Sequence, residues 1–164
     1  MSGGAPRFEM ISQEGLQTAN GVSERYCSLI VQDLSGVIAR MHRLIRKTRS
    51  NRAKVVSSPN LQAMLERHHA ELDNAVGMIV QRAFALGKGH ELKAQTVGAE
   101  DVHHEPSQDP IGALIDEHER VVSAMRRAAD VAGDFGDLVT EDLLSQRIVF
   151  HEQAIPSLRS LGRG

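Results

Sequence analysis

Apolar residues recur every three or four positions through four long stretches of the chain, and this spacing predicts four amphipathic helices. The stretches begin near Val22, Asn60, Pro110 and Thr140. No segment alternates apolar and polar residues with the period of two that is typical of a half-buried strand. Aromatic residues make up only 3% of the chain and Trp is absent, so the core has to be built from Leu, Ile, Val, Ala and Met. The expected fold class is therefore all-α.

Residues with capping and terminating roles indicate where these helices begin and end. Asn60 is the expected N-cap of the second helix, which Gly87 ends. Asp109 precedes Pro110, and an N-cap followed by Pro at the first helical position is typical of a helix start. Pro156 falls inside the fourth helix, where the loss of a backbone donor predicts a kink.

The lengths of the connections predict how the helices are ordered. About ten residues separate Arg49, the predicted end of the first helix, from Asn60, and about seven join the third helix to the fourth. Residues 87–109 form a connector of roughly 22 residues, which is long enough to cross the length of a bundle. We therefore expect a four-helix-bundle domain at residues 22–161, with a long crossover between helices 2 and 3, and a flexible N-terminal tail at residues 1–21.

Composition excludes several classes of protein. No apolar run approaches the roughly 18 residues of a membrane span, so we expect no membrane partner. The N-terminal segment does not resemble a signal peptide, and Cys27 is the single cysteine, so a cytoplasmic location is expected. The net charge of -2 does not favour a generally basic nucleic-acid binder.

Three segments of the second half resemble the Dps group of ferritin-like proteins. They are HAELDNAVGMIVQRAFALG at residues 69–87, LIDEHERVVSAMRRA at residues 114–128, and GDLVTEDLLSQRIVFHEQAIPSLRSL at residues 136–161. The resemblance implies a ferritin-like bundle and a shell of twelve identical subunits. It also implies that the protein oxidises iron, usually with peroxide, and stores it, and so has a role in iron homeostasis and stress response. Some members of the group also bind DNA.

The chain departs from this group at positions that carry its iron chemistry. In the family, a D-x-x-A-E-R pattern on the second helix supplies an Asp and a Glu to an iron site between subunits. In this chain the pattern ends at Arg82 but has Gly77 in place of the Asp and Gln81 in place of the Glu. Neither residue can supply the carboxylate ligands that iron prefers.

The remaining ligand positions are also altered. Counting back from the same motif places Gln62 at the family's second-helix His and Glu66 at its companion carboxylate. The first-helix His falls on Arg52 by one alignment anchor and on Ser50 by the other. Only Glu66 retains a strong iron ligand, so the resemblance implies a family ferroxidase site that has been lost or relocated.

Three histidines suggest a replacement site inside the bundle. His68, His118 and His151 lie in the apolar stripes of helices 2, 3 and 4, at about 12 to 13 Å along the bundle axis from the same end. Three converging imidazoles could bind iron or, alternatively, zinc. His118 and His151 could instead form an ordinary buried hydrogen-bonded pair. The candidate metal ligands are these three histidines and Glu66.

Basic residues are concentrated near the end of the first helix. The candidates for nucleic-acid binding are Arg43, Arg46, Lys47, Arg49 and Arg52. Such a cluster could bind DNA phosphates, and it could equally pair with acidic residues of a neighbouring subunit.

Three functions from different classes follow. The first is a Dps-like oligomer that handles iron, with ferroxidase-type activity weak, lost or relocated. The second is a non-enzymatic ferritin-like shell or interaction protein. The third is a bundle that binds another metal through the internal histidines.

Overall fold

The computed structural model describes residues 24–55, 58–96 and 109–161, and these residues form five helices and no strand. The all-α prediction is confirmed. The helices are α1 (Glu24–Arg52), α2 (Pro59–Ala85), α3 (Gly89–Thr96), α4 (Pro110–Asp134) and α5 (Leu138–Leu161). The predicted tail at residues 1–21 lies outside the described residues.

The four long helices form a bundle in which each helix packs against two neighbours. Helix α1 contacts α2 and α4, and α5 contacts α4 and α2. Within the described ranges, the diagonal pairs α1 with α5 and α2 with α4 have no close backbone approach. The long connection links α2 to α4, as the loop lengths predict.

The connection contains a short helix that residue spacing does not predict. Helix α3 spans Gly89–Thr96 and packs against α1 and α2. Its Leu92 is 3% exposed. One buried apolar residue cannot produce a helical period, so in the sequence this segment looks like a plain connector.

The apolar residues that recur every three or four positions along α1 form one buried stripe, as the spacing predicts. It consists of Ile30, Leu34, Val37, Met41, Leu44 and Thr48, and all six are buried. Helix α4 is buried over a wider arc than one apolar stripe, because it packs against both α1 and α5. Beyond the stripe of Ile115, His118, Val122, Met125, Ala129 and Ala132, the buried residues are Leu114, Glu117, Val121, Ala124 and Ala128.

The helix ends agree with the predicted caps in part. Asp109 is the N-cap of α4, and its Oδ1 accepts a hydrogen bond of 2.8 Å from the Gly112 amide. The predicted cap at Asn60 is wrong, because Ser58 is the N-cap of α2 and Pro59 begins the helix. Helix α5 continues through Pro156 to Leu161. Pro156 and Glu152 are both exposed, and Pro156 has no N–H to donate to the Glu152 carbonyl one turn earlier.

A buried polar network joins α1, α2 and the turn between α4 and α5. Asp137 Oδ2 accepts a hydrogen bond of 2.8 Å from the Tyr26 hydroxyl, and both carboxylate oxygens accept from Arg82 at 2.7 and 2.8 Å. The Thr140 hydroxyl donates to Asp137 Oδ2 at 2.6 Å. Burial alone would raise the pKa of Asp137, but the bonds from Arg82, Thr140 and Tyr26 outweigh burial and lower it to about 2.

Replacing Asp137 with Ala tests this network. We expect the free energy of unfolding to fall by about 3 kcal/mol, because the substitution leaves the largely buried Arg82 guanidinium without its ion-pair partner. Chemical denaturation at one fixed protein concentration measures the loss. The control is Asp130→Ala on the exposed face of α4, for which we expect a change within about 0.5 kcal/mol. Equal losses in the two variants would contradict the assigned role of Asp137.

None of the helices in the described ranges is both long and apolar enough to cross a membrane.

Candidate functional site

The three histidines predicted from the apolar stripes meet in the bundle interior. The ring centroids of His118 and His151 are 5.0 Å apart, and those of His68 and His118 are 5.9 Å apart. The Phe150 ring lies 5.3 Å from both His68 and His151. Residues on α2, α4 and α5 therefore form one cluster of rings, which we call the histidine cluster: His68, His118, His151 and Phe150.

His118 and His151 form the hydrogen-bonded pair that was one of the two predicted arrangements. Their Nδ1 atoms are 2.8 Å apart, and both side chains are essentially inaccessible to solvent. One ring must donate and the other accept, so the pair can hold only one proton between these two nitrogens. His68 is half-buried.

Two nitrogens of the cluster are buried without a hydrogen-bond partner. They are Nε2 of His151 and Nδ1 of His68. A buried polar atom that makes no hydrogen bond costs roughly 1 to 3 kcal/mol. The histidine cluster thus contains buried nitrogens to which no residue of the described chain makes a hydrogen bond.

Burial keeps the cluster neutral. Desolvation lowers the pKa of His118 and of His151, and the neighbouring histidines lower both further. Desolvation also lowers the pKa of His68, with a smaller contribution from the nearby Arg67. Neutral imidazole is the form that binds metal ions.

A groove between α2 and α5 reaches the histidine cluster from the surface. Its volume is about 420 Å³, and its lining includes Arg67, His68, Glu71, Phe150 and Gln153. Glu71 accepts a hydrogen bond of 2.5 Å from Arg147, so its charge is compensated. The groove gives small solutes a path to His68.

The histidines as they stand do not form a metal centre. Over the described part of the chain, no three His, Cys, Asp or Glu side chains have an arrangement that could hold a metal ion. The facing Nδ1 atoms of His118 and His151 bind each other at 2.8 Å.

Glu66, the fourth predicted metal ligand, binds a different partner. Its Oε1 lies 2.9 Å from Arg52 Nη2 on the outer side of the bundle, and half of its side chain is exposed. Arg52 is the residue that one alignment anchor places at the family's first-helix His. A guanidinium therefore binds the one carboxylate that remains at the family's iron-site positions.

The other family positions on α2 also face outward. Gly77 and Gln81 are exposed, and Gln62 is half-buried. With 3.6 residues per turn, these three positions and Glu66 fall within about 100° around the helix. A Cβ atom added at Gly77 would meet no atom within 4 Å, so packing within this chain does not require glycine there.

The predicted nucleic-acid-binding residues have different surroundings. Lys47 donates a hydrogen bond of 2.7 Å to the buried Glu117 of its own chain, and Arg52 pairs with Glu66. Arg46 and Arg49 are exposed and Arg43 is half-buried. DNA binding stays a prediction. It depends on Arg43, Arg46 and Arg49, for which no such ion pair is described.

Sequence reasoning missed Glu117 as a functional group. Its side chain is 1% exposed, and its Oε1 accepts hydrogen bonds from Lys47 and Arg120 while its Oε2 has no partner. The position lies outside the apolar stripe of α4, so helical periodicity alone gave no reason to expect it inside.

The bundle and its connectivity define a class of protein. The sequence pattern of the ferritin-like domain family matches residues 48–161, and the chain belongs to this family. Comparison with curated protein sequences gives no match.

Solved structures show the same fold. A Dps protein from Vibrio cholerae O1, described as a member of a broad superfamily of ferritin-like diiron-carboxylate proteins, has a TM-score of 0.76 at 18% identity and covers 88% of this chain and 95% of its own. Antigen TpF1 from Treponema pallidum has a TM-score of 0.71 at 18% identity, with coverage of 87% and 96%. A mutant of Mycobacterium smegmatis Dps1 has a TM-score of 0.68 at 19% identity, with coverage of 85% and 98%. The bundle therefore has the Dps fold.

The neutral histidine pair predicts a specific acid sensitivity. Because the pKa of each His is lower in the folded chain than in the unfolded chain, the free energy of unfolding is at its full value above pH of about 6.5. It falls as the pH drops below that value, by on the order of 1 kcal/mol per pH unit for each buried His.

Urea denaturation between pH 7 and pH 5 measures this effect. We expect the variant His118→Leu/His151→Leu to lose less stability over this range than the unmodified protein, since it replaces both partners of the pair with apolar side chains. The control His90→Ala, at an exposed position, should keep the full pH dependence. An unchanged slope in the double variant would contradict the assignment.

Proposed function

We propose that the protein is a Dps-type iron-handling protein of stress protection that assembles into a hollow homo-oligomer and has lost the ferroxidase site between subunits. The observation that carries the proposal is the Arg52 and Glu66 ion pair at the family's iron-site positions. Family membership and the Dps fold support the iron-handling role.

The residues at the family's iron-site positions do not suit iron as a substrate. Iron oxidation needs carboxylate and imidazole ligands, and Gln62, Gly77 and Gln81 supply none. Glu66 is the remaining carboxylate, and the adjacent guanidinium already compensates its charge. A cation that bound at Glu66 would have to displace Arg52 and would gain only one charged ligand.

The consequence is an iron-storing or protective shell without an oxidation centre at its subunit interfaces. In such a shell, iron enters already oxidised or is oxidised in solution, and the protein contributes containment. If no other iron-oxidising site is present, the protein is a non-enzymatic shell.

Ferrous oxidation by peroxide tests the lost site. We expect the purified protein to oxidise Fe²⁺ at the rate of a protein-free blank. A variant that carries Arg52→His, Gln62→His, Gly77→Asp and Gln81→Glu should gain a saturable rate, since it restores the family's ligands around Glu66. The matched control is the same variant with Glu66→Gln added, which should return towards the blank. A saturable rate in the unmodified protein that Glu66→Gln abolishes would refute the proposed loss.

Exposed apolar residues support the proposed assembly. Phe135 is 51% exposed, Leu138 71% and Val139 63%, and all three lie at the turn between α4 and α5. Phe84, which is 53% exposed, lies two residues beyond Arg82, and Arg82 contacts this same turn through Asp137. Apolar residues grouped at one end of a bundle are typical of a surface that another protein covers.

The substitution Leu138→Glu tests the assembly. We expect the unmodified chain to form a closed oligomer, with twelve subunits by family resemblance, and the variant to form smaller species, because a charge at a buried interface position is costly. Light scattering coupled to size-exclusion chromatography measures the masses. The control Ser145→Glu adds the same charge at an exposed position further along α5. A monomeric unmodified protein would contradict the proposal.

DNA binding and a cytoplasmic location remain predictions from the sequence. Retention of DNA in a filter-binding assay at low salt, and its loss as salt rises, is the result that would support DNA binding.

A further inference from the structure

The histidine cluster combines three features that the bundle itself does not use. Three imidazoles from three different helices converge, the Nδ1 atom of His68 is buried without a partner, and a groove leads to His68 from the surface. We propose that His68, His118 and His151 bind one divalent cation of borderline softness, of the Zn²⁺ class. This proposal does not depend on the proposed iron handling.

The ring spacing agrees with a shared ion. For a tetrahedral ion with metal to nitrogen bonds of about 2.0 to 2.1 Å, the centroids of two imidazoles that bind it are roughly 5.2 Å apart. The His118 and His151 rings are 5.0 Å apart, and His68 and His118 are 5.9 Å apart. The helices therefore already hold these two pairs of rings near the spacing that a metal centre requires.

Binding of the ion requires a rearrangement of the buried pair. Two nitrogens that bind the same tetrahedral ion are about 3.4 Å apart, whereas the Nδ1 atoms of His118 and His151 are 2.8 Å apart. The ion would replace the hydrogen bond between them: these two atoms would separate by roughly half an ångström, and both rings would tilt so that their Nδ1 atoms point at the ion instead of at each other. The donor ring would carry its proton on Nε2 instead of Nδ1, so both rings would stay neutral when their Nδ1 atoms bind the ion.

His68 would complete the set by turning inward. It is half-buried, and its Nδ1 has no hydrogen-bond partner to lose. The Phe150 ring packs edge-on against it at 5.3 Å and forms the apolar wall beside the site. His68 also lines the groove of about 420 Å³, so the side that faces the groove is open to a water molecule as the fourth ligand.

The chemistry of the ligands selects the class of ion. Three neutral imidazoles without a carboxylate suit Zn²⁺, Co²⁺ or Ni²⁺, whereas hard ions prefer oxygen ligands. Glu117, next to His118 in the chain, binds Lys47 and Arg120 through its Oε1 and is not counted among the ligands. A site of this composition differs from a carboxylate-bridged iron centre.

Cobalt is the probe for the experiment, because its visible absorption reports both binding and coordination geometry. The full-length protein is freed of metal with a chelator, dialysed and titrated with Co²⁺, and the bound cobalt is then displaced with Zn²⁺. We expect one ion per chain and a tetrahedral spectrum. The Kd should rise at least tenfold in His68→Leu, which keeps the pair but removes the third ligand. Neither iron nor an oxidant is present, so failure here leaves the proposed function untouched.

The matched control is His69→Ala. His69 is adjacent to His68 on the same helix, but its Nδ1 pairs with Asp73 Oδ2 at 3.1 Å. We expect its Kd to stay within twofold of that of the unmodified protein. His68→Gln is the second test variant, and thermal unfolding in metal-free buffer verifies that both His68 variants are folded. An unmodified protein that binds no cobalt, an octahedral spectrum, or a Kd that the His68 variants leave unchanged would overturn the proposal.

Discussion

Burial of one continuous face of α1 is the constraint on which the bundle depends. From Tyr26 to Asn51 this face is covered by α2, α3 and α4, and its residues are apolar in the middle and polar at the two ends. Tyr26 donates to Asp137 at one end, and at the other end Lys47 pairs with Glu117 and Asn51 donates to the Pro110 carbonyl. Helix α1 is thus fixed by hydrogen bonds to the α4 and α5 half of the molecule at both ends, while the apolar middle supplies most of the burial.

Helical periodicity predicted the parts of this molecule that depend on a repeating apolar face. The bundle, the position of the long connection and the convergence of His68, His118 and His151 all follow from residue spacing and helix rise, because a fixed rise converts sequence position into height. Periodicity missed α3, which has too few apolar residues to show a repeat, and Glu117, whose burial depends on a lysine of another helix. It also could not foresee that Arg52 would pair with Glu66, since the helices bring together residues 14 positions apart around a turn.

The two regions considered for metal chemistry differ in their physical surroundings. The family's positions on α2 face outward, and Glu66 pairs there with a cation of its own chain. The histidine cluster faces inward, and burial lowers the pKa of its rings and so favours their uncharged form. The two regions are therefore separate in the structure, and the residues present in one do not determine those in the other.

Arg82 belongs both to the buried polar network of this fold and to the family's D-x-x-A-E-R pattern. It is the residue of the family's D-x-x-A-E-R pattern that this chain retains, and its guanidinium holds the Asp137 carboxylate at the junction of three elements. Gly77 and Gln81, at the two ligand positions before it, face solvent and do not belong to this network. The arginine of the motif therefore stabilises the fold, and it does so independently of the residues at the two ligand positions. A chain that keeps this arginine can therefore keep the family's fold even where the residues at the ligand positions differ.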